Sequence, residues 1–561
     1  MLKQVNFIIS KKYQKKLIFI FFVMFFSIFI EMLSVSLVLP ALNFIFNEGY
    51  IIEQSQLSLI KNQLGDFHFI IASLIILFGL YVLKTIVLLY FQIQVAQTAT
   101  DIGRYTSEKL YNKYLSNDFY FFVQNKTSNL IRNVISETGN IFAFIFHLFT
   151  FLIEVLVFVG IIIVLLILQT QETIILFSLL FFIVVPYLII NKKKISNIAQ
   201  VRITNDGLRL KSLQQGLSLI KEIKLYNKNN FFLNNYAIPN KQTYEAQKKF
   251  RIIQVIPRVM LELVIMFFIV SLILILYANG LQFNEMIPIL GLYLAAFLRI
   301  LPSTARIMTS FHGFTYTFKC IDIVYNELNK KNLILTNHLN NTNQNFNFKN
   351  YMEFKNLTYL YPGTKKEIIK NLNFEVKKNS IVGIVGKSGT GKSTLSNLVM
   401  GFLKPNQGEI NVDGENINYN LSEWQSKVAC VPQNITLLDT SICENIALGE
   451  LKEDIDFNLL REVIKLSELT EFINSLPDKH DTNVGERGLK ISGGQAQRIV
   501  LARSLYKCPE LLILDEATNS LDKKTESEIF NTIIKLKEKM TILVISHNKE
   551  YFDKFDKVIN L

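Results

Sequence analysis

IVGIVGKSGTGKSTLSNLVMG, residues 381–401, decides the architecture. The opening IVGIV is short, apolar and β-branched, as a buried strand requires, and a helical pattern closes the stretch. Between them Gly386-Lys387-Ser388-Gly389-Thr390-Gly391-Lys392-Ser393-Thr394 fits G-x-x-x-x-G-K-[ST] in the strand–loop–helix setting that this motif needs. Glycines let backbone N–H groups close around phosphates, and the helix N-terminus adds positive potential. Lys392 is placed to reach the β- and γ-phosphates of a nucleotide, and the Ser393 hydroxyl to ligate Mg²⁺.

Two further apolar runs belong to the same sheet. LLILD at 511–515 ends in Asp515, followed by Glu516. An acid ending a buried strand beside a phosphate loop is where a Mg²⁺ ligand belongs, and the next glutamate is placed to polarise an attacking water. The bland alternative, a solvated acidic pair, does not account for the neighbouring phosphate loop. MTILVIS at 540–546 delivers His547 to the γ-phosphate end of the site. A lone histidine is more often structural; its place after a core strand argues for a role.

With these elements in hand, the chain resembles the ATP-binding cassette (ABC) family. Ser492-Gly493-Gly494-Gln495 is similar to the family's signature, with ISGGQ here in place of LSGGQ. Tyr361 resembles the aromatic that stacks on adenine, Gln433 in VPQN the Q-loop glutamine, Glu486 the exporter X-loop, Ser520-Leu521-Asp522 the D-loop and His547 the switch histidine. The resemblance covers essentially all of residues 351–561. It implies ATP and Mg²⁺ as cofactors, with Ser393, Gln433 and Asp515 around the metal. Glu516, His547, Gln433 and Lys392 are the implied catalytic set. Two cassettes are expected to close head to tail, each ATP lying between one chain's phosphate loop and the other's Ser492–Gln495. One cassette per chain makes a homodimer the simplest unit, with a heterodimer of related half-transporters open. The chain stops at Leu561, where related cassettes usually continue with a Gly-containing turn and a short tail.

Upstream the composition changes. The chain has 561 residues, half of them apolar, with a mean hydropathy of +0.28. The cysteines Cys320, Cys430, Cys443 and Cys508 show neither paired nor metal-ligand spacing. A disordered, collagenous or disulfide-stapled protein is excluded. Bilayer-length runs fall at 17–46, 68–95, 141–168, 173–190, 252–278 and 283–302. The first three exceed a bilayer's need, so they tilt or run on as continuous helices. The first lacks a cleavage site and reads as retained.

With the N-terminus cytoplasmic, the inner segments 1–16, 96–140 and 191–251 carry 5, 5 and 13 Lys and Arg. The outer loops carry only Lys61. That asymmetry fixes the topology and accounts for most of the net charge of +13 without a nucleic-acid partner. Residues 47–66 place Leu57, Ile60 and Leu64 at helical spacing; an interfacial amphipathic helix and a plain loop are equal readings. Residues 329–350 are Asn-rich and aperiodic, a linker.

The expected fold is therefore an α-helical six-span transmembrane exporter domain (1–328) fused through that linker to an α/β P-loop nucleotide-binding domain (351–561). Fused spans with long inner excursions and mostly short outer turns resemble the exporters. By that resemblance, segments near Ser116–Phe122 and Gly216–Lys228 dock on the cassettes. Only about 16 residues precede the first span, which argues against the exporters that process leader peptides.

Charges inside spans are costly. Lys84, Arg258, Arg299 and Arg306 face two readings: pairing with Glu31, Glu154 and Glu262 or snorkelling, against lining a cavity for an anionic group. EMLSVSLVLPAL (31–42), VIPRVMLE (255–262) and LAAFLRILPSTARIMTS (294–310) resemble the bacterial lipid-linked oligosaccharide flippases. In that group basic residues engage the pyrophosphate of an undecaprenyl-linked glycan. Arg258, Arg299 and Arg306 match such positions, and Lys84 stands where an arginine is expected. The expected activity is ATP-driven export or flipping of such a glycolipid across the bacterial inner membrane, with the cassette cytoplasmic. The alternatives are a broad lipid or drug exporter without pyrophosphate recognition, and a cassette ATPase acting as a regulator or channel.

Overall fold

The computed structural model describes residues 2–37, 66–168, 170–278, 283–330, 348–364, 366–387, 389–517, 523–546 and 552–561. The chain forms two compact units, one of Met1–Asn117 with Phe122–Leu333, the other of Asp118–Phe121 with Ile334–Leu561. Residues 47–65 of the expected interfacial segment 47–66 lie outside the described residues, as do Ser388, Ser520-Leu521-Asp522 and His547.

Six helices of the first unit are long and apolar enough to cross a membrane. They are α1 (Lys11–Ser36), α2 (Asp66–Leu115), α3 (Thr138–Leu168), α4 (Thr170–Ser218), α5 (Asn229–Ala278) and α6 (Phe283–Asn329). At 1.5 Å per residue a 50-residue helix such as α2 or α5 is about 75 Å long, against about 30 Å of hydrocarbon. Run-on is thus more general than the sequence reading held, since α4, α5 and α6 also continue far beyond their apolar stretches. Those continuations are polar, and ion pairs within the turn hold them, as Arg202 with Asp206 (3.6 Å) and Arg209 with Asp206 (3.3 Å) do in α4. The outward faces are apolar. Phe22, Phe78 and Leu263 stand about 70% exposed, as they do when lipid or another protein surface is the solvent.

Two junctions fix the helices against each other. The chain enters α3 through a π-helical turn, Asn133–Glu137, whose extra residue re-aims the side chains that follow. It buries Glu137 completely, 3.0 Å from Arg202 Nη2 and 3.8 Å from Arg132 Nε. Arg202 also donates to Cys320 Sγ (3.3 Å) and lies over the Tyr316 ring, itself stacked on Phe250. The second junction answers prolines. Pro257 has no N–H, so the Ile253 carbonyl one turn earlier loses its helical partner. The Tyr187 hydroxyl of α4 donates to that carbonyl at 2.9 Å. Pro239 likewise frees the Asn235 carbonyl, and Ser212 of α4 reaches it at 3.3 Å while also facing its own Leu208 carbonyl at 3.0 Å.

The second unit carries two sheets. Strands β1 (Tyr351–Leu360), β2 (Glu367–Lys377), β4 (Gln407–Val412) and β5 (Glu415–Asn416) form an antiparallel sheet in the order β2-β1-β4-β5. A parallel sheet runs β6-β7-β8-β3-β9, with β3 Ile381–Val385, β6 Val428–Val431, β7 Leu511–Asp515, β8 Thr541–Ile545 and β9 Lys557–Asn560. Every residue of β3 and β8 is buried, as expected of a parallel sheet covered on both faces. Helix α7 (Lys392–Val399) follows β3, and its last turn is pinned by the buried Trp424, whose Nε1–H donates to the Val399 carbonyl at 2.7 Å. Helices α8 (Gly493–Tyr506) and α9 (Lys523–Leu536) flank β7 in sequence.

Candidate functional site

The parallel sheet brings the motif residues to one edge. In its register Asp515 lies abreast of Ile545, and Ile545 abreast of Ile384, two residues before Gly386. The carboxyl ends of β3, β7 and β8 therefore meet at one level, the usual place for a ligand in an open α/β sheet. The loop between β3 and α7 needs its glycines. A Cβ on Gly386 would sit 2.6 Å from Thr390 Oγ1, and Gly391 has φ = +100° with Ile368 Cγ2 2.8 Å from where a Cβ would stand. The Lys392 ammonium donates to the carbonyls of Gly386 (2.9 Å) and Lys387 (3.2 Å), folding back over its own loop.

Asp515 lies close enough to the Ser393 side chain to be influenced by it, and its carboxyl is held above the usual range. Burial is the largest cause and the neighbouring Glu516 adds to it, while Lys392 and Ser393 oppose the rise. Hydroxyl and carboxylate oxygens in contact are a donor set that suits Mg²⁺. Glu516 has φ = +51°, a left-handed conformation that costs a non-glycine residue roughly 1–3 kcal/mol and recurs at functional sites. Its N–H donates to the Ile545 carbonyl at 2.9 Å, and its Oε2 accepts from Gln433 Nε2 at 2.7 Å. Lys392, Ser393, Asp515, Glu516 and Gln433 thus form one connected constellation drawn from three segments. Burial also pushes the Cys430 thiol up to about 12, with the Asp515 charge contributing, so Cys430 packs as a neutral group.

Tyr361 follows β1, its hydroxyl 3.2 Å from Thr394 Oγ1 and its ring edge-on to Tyr359. Ser492 caps α8: its hydroxyl accepts from the Gln495 N–H (3.2 Å), and Gln495 Oε1 accepts from the Ser492 N–H (2.8 Å). That reciprocal box follows from S-x-x-Q before an apolar helix, a signal the motif reading overlooked. It leaves the Gly493 and Gly494 backbone at a helix N-terminus. Glu486 opens a short 3₁₀ turn, Glu486–Gly488.

In the first unit, three of the four singled-out cations converge. Lys84 Nζ is 2.9 Å from Glu31 Oε1; Arg299 Nη2 donates to Glu31 Oε2 at 2.9 Å, with its Nε beside Oε1. Arg299 Nη2 also lies 3.8 Å from Glu154 Oε2, and Arg306 Nε 2.7 Å from Glu154 Oε1. Helices α1, α2, α3 and α6 all contribute. Arg258 stands apart from this set: it pairs with Glu262 one turn along its own helix (3.2 Å), and its side chain is 76% exposed. The structure thus does not bring Arg258 together with the other three, since its side chain lies on the exposed face of α5.

Two family models match the chain: the ABC transporter transmembrane region over residues 17–297 and the ABC transporter model over residues 369–519. Among curated relatives, the ATP-dependent lipid A-core flippase of Pseudomonas aeruginosa is 39% identical over 213 residues, 37% of this chain and 34% of that protein. The flippase of the same description from Escherichia coli K12 is 36% identical over 209 residues, 37% of this chain and 36% of that one. The chain therefore matches about a third of the length of these relatives. A bacterial Atm1-family ABC exporter with ATP bound superposes with a TM-score of 0.80 at 21% identity, covering 98% of this chain and 93% of that one, which shows the shared fold. The transmembrane model alone takes in half of the sequence, and the phosphate loop and acidic strand end lie in the second match. This chain belongs to the ABC transporter family, as a multi-pass membrane protein with its cassette fused behind six helical spans.

Proposed function

We propose that the protein is an ATP-driven exporter or flippase that moves an amphipathic, phosphate-bearing lipid across the bacterial inner membrane. The carrying observation is the constellation of Lys392, Ser393, Asp515, Glu516 and Gln433 in a chain that also holds six spans. Lys392 would leave its loop carbonyls for the β- and γ-phosphates of ATP. Ser393, Asp515 and the Gln433 amide oxygen would hold Mg²⁺, which when bound offsets phosphate charge. Glu516, fixed by its backbone bond to Ile545, would take a proton from the attacking water, with His547 at the γ-phosphate. Tyr361 would stack on adenine, and Gly386 to Thr394 would cradle the phosphates, Ser388 included.

Two chains would close head to tail, with Ser492, Gly493, Gly494 and Gln495 of one meeting the phosphate loop of the other. A homodimer supplies both sites. The cassette, which we take as 351–561 after a linker at 329–350, would face the cytoplasm, as would the N-terminus. The Lys/Arg asymmetry of the loops supports that orientation.

The lipid is read as an undecaprenyl-pyrophosphate-linked glycan. Support comes from Lys84, Arg299 and Arg306, three cations from two helices in one place, where arginine's fork suits phosphate. The pairing with Glu31 and Glu154 favours the second reading, a lipid or drug exporter without headgroup recognition. ATP hydrolysis by membrane-reconstituted protein, with and without an undecaprenyl-diphosphate glycan, separates the two. Stimulation that Arg306→Ala abolishes supports the glycolipid. Hydrolysis that needs Glu516 but ignores the glycolipid supports the second reading.

A further inference from the structure

The basic cluster is not simply neutralised by its acids. Three cations meet two carboxylates, leaving one net positive charge among Lys84, Arg299, Arg306, Glu31 and Glu154. The two signs also occupy different depths. Glu31 and Glu154 side chains are 0% and 8% exposed, against 12%, 17% and 42% for Lys84, Arg299 and Arg306. The carboxylates are the more deeply buried, and Arg306 is the most exposed of the cations.

The bonding is uneven as well. Arg299 Nε, Arg306 Nε, Glu31 Oε1 and Glu154 Oε2 are buried yet make no aligned hydrogen bond among the described residues. Beyond the one bond from Arg299 Nη2 to Glu31 Oε2, the attraction is carried by charge, with fewer directional bonds than usually fix a buried pair. Arg306 spends only its Nε on Glu154; among the described residues its two terminal nitrogens meet no acceptor. That end of the guanidinium is the part that donates two parallel bonds to a phosphate.

A transport site must bind well enough to capture and weakly enough to release. Three unopposed cations in low dielectric would hold a pyrophosphate too firmly to turn over. We infer that Glu31 and Glu154 are affinity-setting counter-charges. Glu154 aims the Arg306 fork outward, and the two acids together hold the site at one net positive charge, so that it carries an anionic lipid headgroup instead of trapping it. This rests on the headgroup reading above and adds a role for the two acids.

The test measures binding of undecaprenyl diphosphate to the protein in phosphatidylcholine nanodiscs, together with the maximal ATPase rate that it elicits. Glu154→Gln, nearly isosteric, should lower the half-saturating concentration about tenfold or more while lowering the maximal rate. Glu31→Gln carries the same expectation should Glu154→Gln not fold. Arg306→Ala should raise the half-saturating concentration by a similar factor. Glu31→Gln/Lys84→Gln removes a pair while keeping the net charge, and should reverse most of the tightening that Glu31→Gln alone produces. Acids with a merely structural role would loosen binding, or leave it unchanged, when neutralised. That result overturns the inference while Arg306→Ala still weakens binding and the headgroup reading stands. Undecaprenyl diphosphate binding to neither wild type nor any variant overturns both.

Discussion

The two units differ in how their chemistry is written into the chain. In the cassette, the phosphate loop is nine contiguous residues, 386–394, and its strand and helix are its immediate neighbours. In the membrane unit, Arg299 and Glu31 are 268 residues apart and meet only because helices from both ends of the unit pack together. A local motif shapes backbone N–H groups, which any sequence with those glycines must do. A dispersed cluster depends on every helix arriving in register. Damage should therefore be chemical in the cassette and structural in the membrane unit, and three experiments test that contrast.

The largest effect is expected from Glu516→Gln. Loss of the proposed general base should lower ATP hydrolysis by roughly 100-fold or more, and the amide keeps both the bond from Gln433 and the backbone geometry. Phosphate release should collapse while ATP binding and the thermal melting curve stay near wild type. A variant that hydrolyses at even a tenth of the wild-type rate would remove Glu516 from its role, and the contiguous reading of β7 with it.

Glu137→Gln should do the opposite, sparing the chemistry and costing the fold. Glu137 is fully buried between Arg202 and Arg132, and removing one partner of a buried pair typically costs about 3–5 kcal/mol because a charge is left uncompensated. Thermal inactivation of the purified protein should accelerate. ATP affinity measured before inactivation should not change. Wild-type thermal resistance would mean that the π turn, and not its ion pair, holds this junction.

What was legible follows the same division. β3 and β7 begin and end where the apolar runs do, because parallel strands covered on both faces have no reason to alternate. The run-on of α4 past residue 190 was not legible: residues 191–218 are mostly polar, and ion pairs within the turn together with contacts to other helices keep them helical. Arg258 with Glu262 could be read as an i,i+4 pair on one turn, but the face it occupies could not. That Glu31 would serve both Lys84 and Arg299, and Glu154 both arginines of α6, needed three-dimensional distances. The charges themselves could be picked out along the chain, but their partners could not.

The smallest effect is the most discriminating, since it tests whether an interhelical contact can be derived from a rule as local as a motif. Pro257 cannot donate to the Ile253 carbonyl, and Tyr187 of α4 does so instead. Tyr187→Phe should therefore strand a carbonyl, costing about 1–3 kcal/mol of stability. Pro257→Ala alone restores an N–H that competes for the same oxygen, so it should be nearly neutral. In the double variant that restored backbone N–H takes the place of the lost hydroxyl, and most of the Tyr187→Phe penalty should vanish. Denaturation midpoints of the four proteins close the cycle. A coupling near zero would show that the hydroxyl merely occupies the gap. A coupling of the expected sign would show that a proline on one helix dictates the residue needed on its neighbour, which makes this contact as readable as the phosphate loop once the pairing of α4 with α5 is known.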